Sequence, residues 1–194
     1  MSRVEQVERN RDLVLDAARR VFLDRGYSGA TLEAIAAEAG FSKGVVYSQF
    51  TSKADLFLAL LERRIEARAA ENAAVAARHA DVDGLRKLLQ VNARHSEEGA
   101  AWLRLLIEFR VLAARDPEVN RRYAELHERT LQRFAETIQD VLARGGITPT
   151  RPVREAAELI FALDTGTVLE RAAGTARLPV AALEDLVVQL VAPT

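Results

Sequence analysis

The stretch AGFSKGVVYSQF, Ala39 to Phe50, decides the fold. It carries glycines at 40 and 44, serines at 42 and 48, one lysine, and a tyrosine among small residues. It is too short and broken for a core helix and too helical for a loop. Ser42 is placed to cap a short helix from Lys43 to about Gln49. Gly40 ends the element before it, which starts at the cap residue Thr31 and turns Leu32, Ile35 and Ala36 inward. Upstream, Val14, Ala17, Ala18, Val21 and Phe22 follow the spacing of one buried helical face from Asp12 to Arg25, and Gly26 supplies a stop. Three short helices with a tight turn between the second and third make a helix-turn-helix arrangement.

The last helix of such a pair lies in a DNA major groove, so its outward residues should be small, neutral or basic. From Ala39 to Ala54 the sequence has Lys43 and Lys53 and no acid. Ser42, Lys43 and Gly44 would present backbone N–H groups to a phosphate. Val45, Tyr47, Ser48 and Gln49 are the outward candidates, while Phe41, Val46 and Phe50 face the first two helices. Lys53 opens the next helix, where a cation opposes the helix dipole. A phosphate partner accounts for it better than chance solvation.

The rest of the chain reads as helix. Ser52 with Asp55 resembles a capping box for a helix from Lys53 to about His79, roughly 40 Å long. Another opens at Asp81–Asp83, with an interruption at Glu97–Gly99. The helix Ala101–Ala114 is apolar on several sides and should be central. Pro117–Arg144 follows Asp116 as an N1-proline start. After the linker GGITPTRP come helices from Val153 to about Ala173 and from Pro179 to Val191. No strand alternation, repeat or low-complexity tract appears.

The 194 residues suit one medium domain or a small domain fused to a larger one, and 49% hydrophobic content argues against disorder. With no cysteine there is no disulfide framework or thiolate chemistry. No leader-like segment or membrane-spanning run is evident, so a soluble cytoplasmic protein is expected. The net charge of −1 does not favour nucleic acid, but the local distribution does. His79, His95 and His127 lack metal-ligand spacing, and HERTL puts Leu131 where a zinc-protease helix needs histidine. No phosphate loop, dinucleotide fingerprint or nucleophile elbow is present. No metal or cofactor is expected. An all-α enzyme, or a helical scaffold that has lost DNA binding, are the alternatives.

The segment Leu13–Glu62 resembles the DNA-binding domain of TetR/AcrR-type bacterial transcriptional regulators. The likeness rests on the Asp16-Ala17-Ala18 and Phe22 pattern, Gly26-Tyr27, Thr31, Ile35-Ala36, Ala39-Gly40, Ser42-Lys43-Gly44, Tyr47, Phe50 and Ser52-Lys53, in order. It implies that Thr31, Tyr47 and Lys53 touch phosphates and that the third helix reads bases. Tyr47 is open to a second reading, as an aromatic staple between helices; Thr31 can cap a helix and touch phosphate together. Val45 and Ser48-Gln49 are less typical of the family, so no operator sequence is implied. Beyond Glu62 the resemblance implies only a helical ligand-binding and dimerisation domain.

The expectation is therefore an all-α protein. It has a helix-turn-helix DNA-binding domain at residues 1–52 and a ligand-binding and dimerisation domain at 53–194, with the helix of residues 53–79 connecting them. Its partners would be a double-stranded DNA operator, a small and largely hydrophobic effector, and a second copy of the chain. It would act as a repressor released by that effector. A pocket would draw polar groups from Asn92, His95, His127, Thr130 and Asp164, and walls from Trp102, Phe109, Tyr123, Phe134 and Phe161. Each aromatic is equally open to an ordinary core role. Asp164, mid-helix among apolar residues, needs a partner, water or a ligand. The last two helices carry more apolar surface than one core contact uses. Ala156, Ile160, Leu163, Leu183, Leu186, Val187 and Leu190 are the dimer candidates.

Overall fold

The computed structural model describes residues 2–92, 97–174 and 179–191, without the side chains of Arg3, Glu97, Val180 and Leu183. His95, and the Leu183 side chain, thus lie outside the description. Among the described residues every regular element is helical. These are α1 Arg3–Gly29, α2 Leu32–Ala39, α3 Lys43–Tyr47, α4 Lys53–Arg78, α5 Asp81–Asn92, α6 Glu97–Ala113, α7 Pro117–Arg144, α8 Val153–Ala172 and α9 Val180–Val191. None is long and apolar enough to cross a membrane.

The helix α1 starts earlier than the apolar pattern suggests. Ser2 and Glu5 form a reciprocal capping box, so a polar, solvent-facing first segment is helical too. At its other end the expected stop appears as a kink, with Gly26 at φ 70° and ψ 173°. That conformation is essentially reserved for glycine.

The chain divides into two compact units. The first is Met1–Arg64 with Leu105–Tyr123; the second is Ile65–Arg104 with Ala124–Thr194. This partition differs from a cut at residue 53, for a physical reason. Leu56, Phe57, Leu60 and Leu61 on the first turns of α4 are buried, as are Phe109 of α6 and Tyr123 of α7. Phe57 meets Phe22 edge-on at 5.2 Å and Phe109 at 4.4 Å, and Phe109 meets Tyr123 at 6.0 Å. The fully buried rings of Phe22, Phe57 and Phe109 each contribute about 1.5–3 kcal/mol by leaving water. The first unit is therefore a three-helix head completed by segments from later in the sequence.

In the second unit, Leu85, Leu88 and Leu89 of α5 pack with Phe134, Ile138, Val141 and Leu142 of α7, with α8, and with α9. The turn into α5 depends on close approach. Gly145 lies against Asp81, where a Cβ would sit 2.5 Å from the Asp81 backbone, and Asp81 itself has φ 62°. Two polar pairs close this unit. Asn92 donates to buried Asn72 at 2.8 Å, and Gln90 donates to buried Glu184 at 3.2 Å.

Candidate nucleic-acid interface

The helix α1 packs on α2, and α2 packs on α3. The hydroxyl of Thr31 accepts from the Ala34 N–H, setting the start of α2. Gly40 ends it in the left-handed region at φ 72°. Phe41 then donates its N–H to the Ala36 carbonyl, and α3 starts at once behind Ser42, whose side chain makes no cap bond. Val46 and Phe50 are buried and anchor α3 from behind. Thr31, Ser42, Lys43, Gly44, Tyr47 and Ser48 are left exposed, with Val45 half-buried. A Cβ on Gly44 would meet only the Ser42 hydroxyl, at 3.8 Å, so the backbone there is open to close approach.

Two side chains depart from the sequence expectation. Gln49, expected to point outward, is half-buried, and its amide oxygen is fully buried without a hydrogen bond. Lys53, expected on a phosphate, is directed the other way. Its ammonium donates to the carbonyls of Tyr27 at 2.7 Å, Ala30 at 3.0 Å and Ser28 at 3.3 Å, and lies 4.6 Å from the Tyr27 ring centroid. All three donors of the ammonium are engaged, and burial lowers its pKa. The chain end of α1, rather than DNA, explains a lysine in the first turn of α4. Tyr47 is 48% exposed, as an outward candidate should be; its hydroxyl also donates to Glu33 Oε1 of α2 at 3.2 Å.

Two residues of this unit were not legible in the sequence. Glu33, one residue into α2, brings an acid to the face that was expected to have none. Its Oε1 lies 3.6 Å from Lys43 Nζ besides accepting from Tyr47. Glu108 of α6 accepts the N–H groups of Tyr27 and Ser28, both at 2.9 Å, opposite the carbonyls held by Lys53. These are contacts across long sequence distances, so no periodicity or short motif signals them.

The profile described as bacterial regulatory proteins of the TetR family matches residues 14–60. The profile for the C-terminal part of BetI-type transcriptional repressors matches residues 81–193, more than half of the chain. The chain belongs to the TetR family. Among curated TetR-family relatives, the transcriptional repressor AcnR of Corynebacterium diphtheriae is 34% identical over 126 residues, 65% of this chain and 61% of that protein. The transcriptional activator FasR of Mycolicibacterium smegmatis is 45% identical over 65 residues, 34% of this chain and 29% of that one. The matches thus span less than two thirds of these relatives' own length. Solved structures share the fold. A regulator from Saccharomonospora viridis in complex with choline aligns at TM-score 0.74 and 20% identity, covering 96% of this chain and all of that one. FadR of Bacillus subtilis in complex with stearoyl-CoA aligns at 0.62 and 20%, covering 92% and 95%.

The described effector candidates of this TetR-family chain fall in both units. Phe109 and Tyr123 belong to the aromatic core of the first unit, because they pack on Phe57 and each other. In the second unit, Phe161 joins His127 at 5.9 Å to Phe134 at 5.6 Å. The Thr130 hydroxyl donates back to the Leu126 carbonyl, and Asn92 is engaged by Asn72 and the Leu88 carbonyl. Trp102 is buried. Burial pushes the Asp164 carboxyl up to about 6, against a smaller opposing pull from Arg171.

Of the dimer candidates, Ala156, Ile160 and Val187 are closed inside the second unit's own core, and Leu163 and Leu190 are half-buried. Leu186 is 44% exposed. The apolar residues left outward on α8 are Leu159, Ala162, Leu169 and Ala172, with Gly166 among them. Their spacing makes one continuous stripe.

Proposed function

We propose that the chain is a homodimeric transcriptional repressor that binds operator DNA through α2 and α3 and is released by a small organic effector held in the second unit. The observation that carries the DNA reading is the exposed set Lys43, Gly44, Tyr47 and Ser48, with half-buried Val45 among them, on a short helix anchored from behind by Val46 and Phe50. Thr31 and Ser42 flank it at the starts of α2 and α3. Phosphate contacts from Lys43, Tyr47 and Thr31 would fix register, and Val45 and Ser48 would read bases. Gln49 and Lys53 are left out of this set, because Gln49 is half-buried and the Lys53 ammonium is bonded to the carbonyls at the end of α1. Family membership and the BetI-type repressor profile support the repressor assignment.

The effector site is placed around Phe161, with His127, Phe134 and Asp164, in a mostly apolar setting with few polar groups. The choline and stearoyl-CoA complexes of similarly folded regulators support a ligand role for this kind of domain. The ligand proposed here is small and largely hydrophobic. The helices α4, α6 and α7 each supply residues to both units, and an effector acts on the reading head through them. Hundredfold release requires the effector to favour the non-binding state by about 2.7 kcal/mol. The partner copy is placed on the α8 stripe of Leu159, Ala162, Gly166 and Leu169 together with Leu186 of α9. The protein would act in the cytoplasm.

Selection of duplexes from a random pool by the purified chain, followed by mobility shift on the winners, tests the reading. Retardation should be sequence-specific and salt-sensitive, and Tyr47→Ala should weaken it on every duplex. Val45 or Ser48 substitutions should change which duplex wins. A folded protein that enriches nothing from the pool would support an enzyme or a scaffold instead.

A further inference from the structure

We infer that Glu33 is an internal stand-in for a DNA phosphate: it occupies Tyr47 and Lys43 in the free protein and so holds down binding to non-specific duplex. The inference rests on the DNA reading proposed above. One carboxylate oxygen accepts from the Tyr47 hydroxyl at 3.2 Å and lies 3.6 Å from the Lys43 ammonium. A phosphate oxygen would take the same two donors, since both oxyanions accept charge-assisted hydrogen bonds from hydroxyl and ammonium groups. The side chains of Lys43 and Glu33 are 67% and 43% exposed, so the cluster faces solvent where a duplex would approach. Its own backbone N–H, the Tyr47 hydroxyl and Lys43 keep the Glu33 carboxyl below its ordinary range, so it is ionised at neutral pH. The Tyr47 phenol is raised, chiefly by its bond to Glu33, and remains a donor.

DNA binding then becomes an exchange of one anion for another rather than the formation of a fresh contact. Binding to an arbitrary duplex rests almost wholly on phosphate contacts, so it bears the full effect. A cognate site adds base contacts, which Glu33 does not oppose.

The test compares the full-length chain with E33Q on a mixed-sequence duplex of about 30 base pairs, by fluorescence anisotropy across about 50 to 200 mM salt. E33Q should bind roughly five- to tenfold tighter, with a salt slope steeper by about one. The gain should shrink in a Tyr47→Phe background, because part of it comes through the freed hydroxyl. E33A should reproduce the gain, and thermal unfolding of both variants should match the parent. Salt-dependent binding that is equal for parent and E33Q overturns the inference alone. Weaker binding by E33Q also overturns it, and makes Glu33 a residue that orients Tyr47 for phosphate. If the folded parent and E33Q bind no duplex in a salt-dependent manner, the DNA reading falls and this inference with it.

Discussion

The Lys53 ammonium donates to the Tyr27 carbonyl at 2.7 Å, which ties the first turn of α4 to the end of α1. With the bonds to Ser28 and Ala30, the cation gathers three carbonyls at the end of α1, where helix carbonyls lack intrahelical partners. Lys53→Ala should therefore destabilise the fold by about 1.5–3 kcal/mol, the usual range for hydrogen bonds to a charged group. The salt slope of DNA binding should not change, whereas Lys43→Ala should lower it by about one. Urea unfolding and salt titration of binding check the two arms. A normal unfolding curve with a reduced slope would return Lys53 to the phosphate contacts.

Gly26 and Glu108 form the other half of the same clamp. A Cβ at Gly26 would come within 2.9 Å of Glu108 Oε2, and the backbone there has φ 70°. The carboxylate can move aside, but only by loosening its bonds to the Tyr27 and Ser28 N–H groups. Gly26→Ala should cost about 1–3 kcal/mol from backbone strain, with more from the lost bonds. Glu108→Gln should cost less, since an amide oxygen keeps one acceptor. Equal stabilities for G26A and the parent, by urea unfolding, would show that the clamp contributes nothing.

Local patterns were legible and long-range polar contacts were not. The buried face of α1, the caps at Thr31 and Ser52, and the α7 boundaries all follow from spacing and cap chemistry within a few residues. The direction of Lys53 depends on where the end of α1 lies, some twenty-five residues away in the chain. Glu33 reaches Tyr47 only because Gly40 folds α3 back beside α2. Phe109 and Tyr123 read as pocket walls because apolar aromatics look alike in sequence; Phe57 and Tyr27 claim Phe109 for the first unit. On α8 the apolar residues extend nearly all round, so periodicity alone does not separate Ile160, turned inward, from Leu159, turned outward.

That separation gives a two-part prediction for assembly. Leu159→Asp and Leu169→Asp, at 43% and 48% exposure, should yield folded protein with a weakened dimer. Ile160→Asp, at 5% exposure, should unfold the second unit, because a buried unpaired charge is far more costly than a lost apolar contact. Gly166→Leu should also weaken association, since a Cβ there meets nothing within the chain but would crowd a partner helix. Sedimentation velocity at micromolar concentration, with circular dichroism as the fold check, distinguishes these outcomes. A parent protein that sediments as a monomer would remove the stripe as an interface.

Asp164 sets the last prediction, a pH dependence of opposite sign to that of an ordinary ion-paired carboxylate. Burial raises its folded value to about 6 from 3.8. A carboxyl raised on folding stabilises the fold while protonated. That contribution is complete below 3.8 and is lost as pH rises through about 6. Above that, ionised Asp164 carries a penalty of at most about 3 kcal/mol from the size of the shift, and nearer 1–2 kcal/mol once partial access to water is allowed for. Asp164→Asn removes the ionisation and keeps the shape. It should stabilise the protein at pH 8 by that amount and have little effect near pH 4, as measured by urea unfolding at both. If the effector site includes Asp164, the same variant should also change the effector concentration needed for release while leaving DNA affinity without effector unchanged. A pH-independent difference between parent and variant would mean that Asp164 ionises in the folded protein as readily as in the unfolded chain.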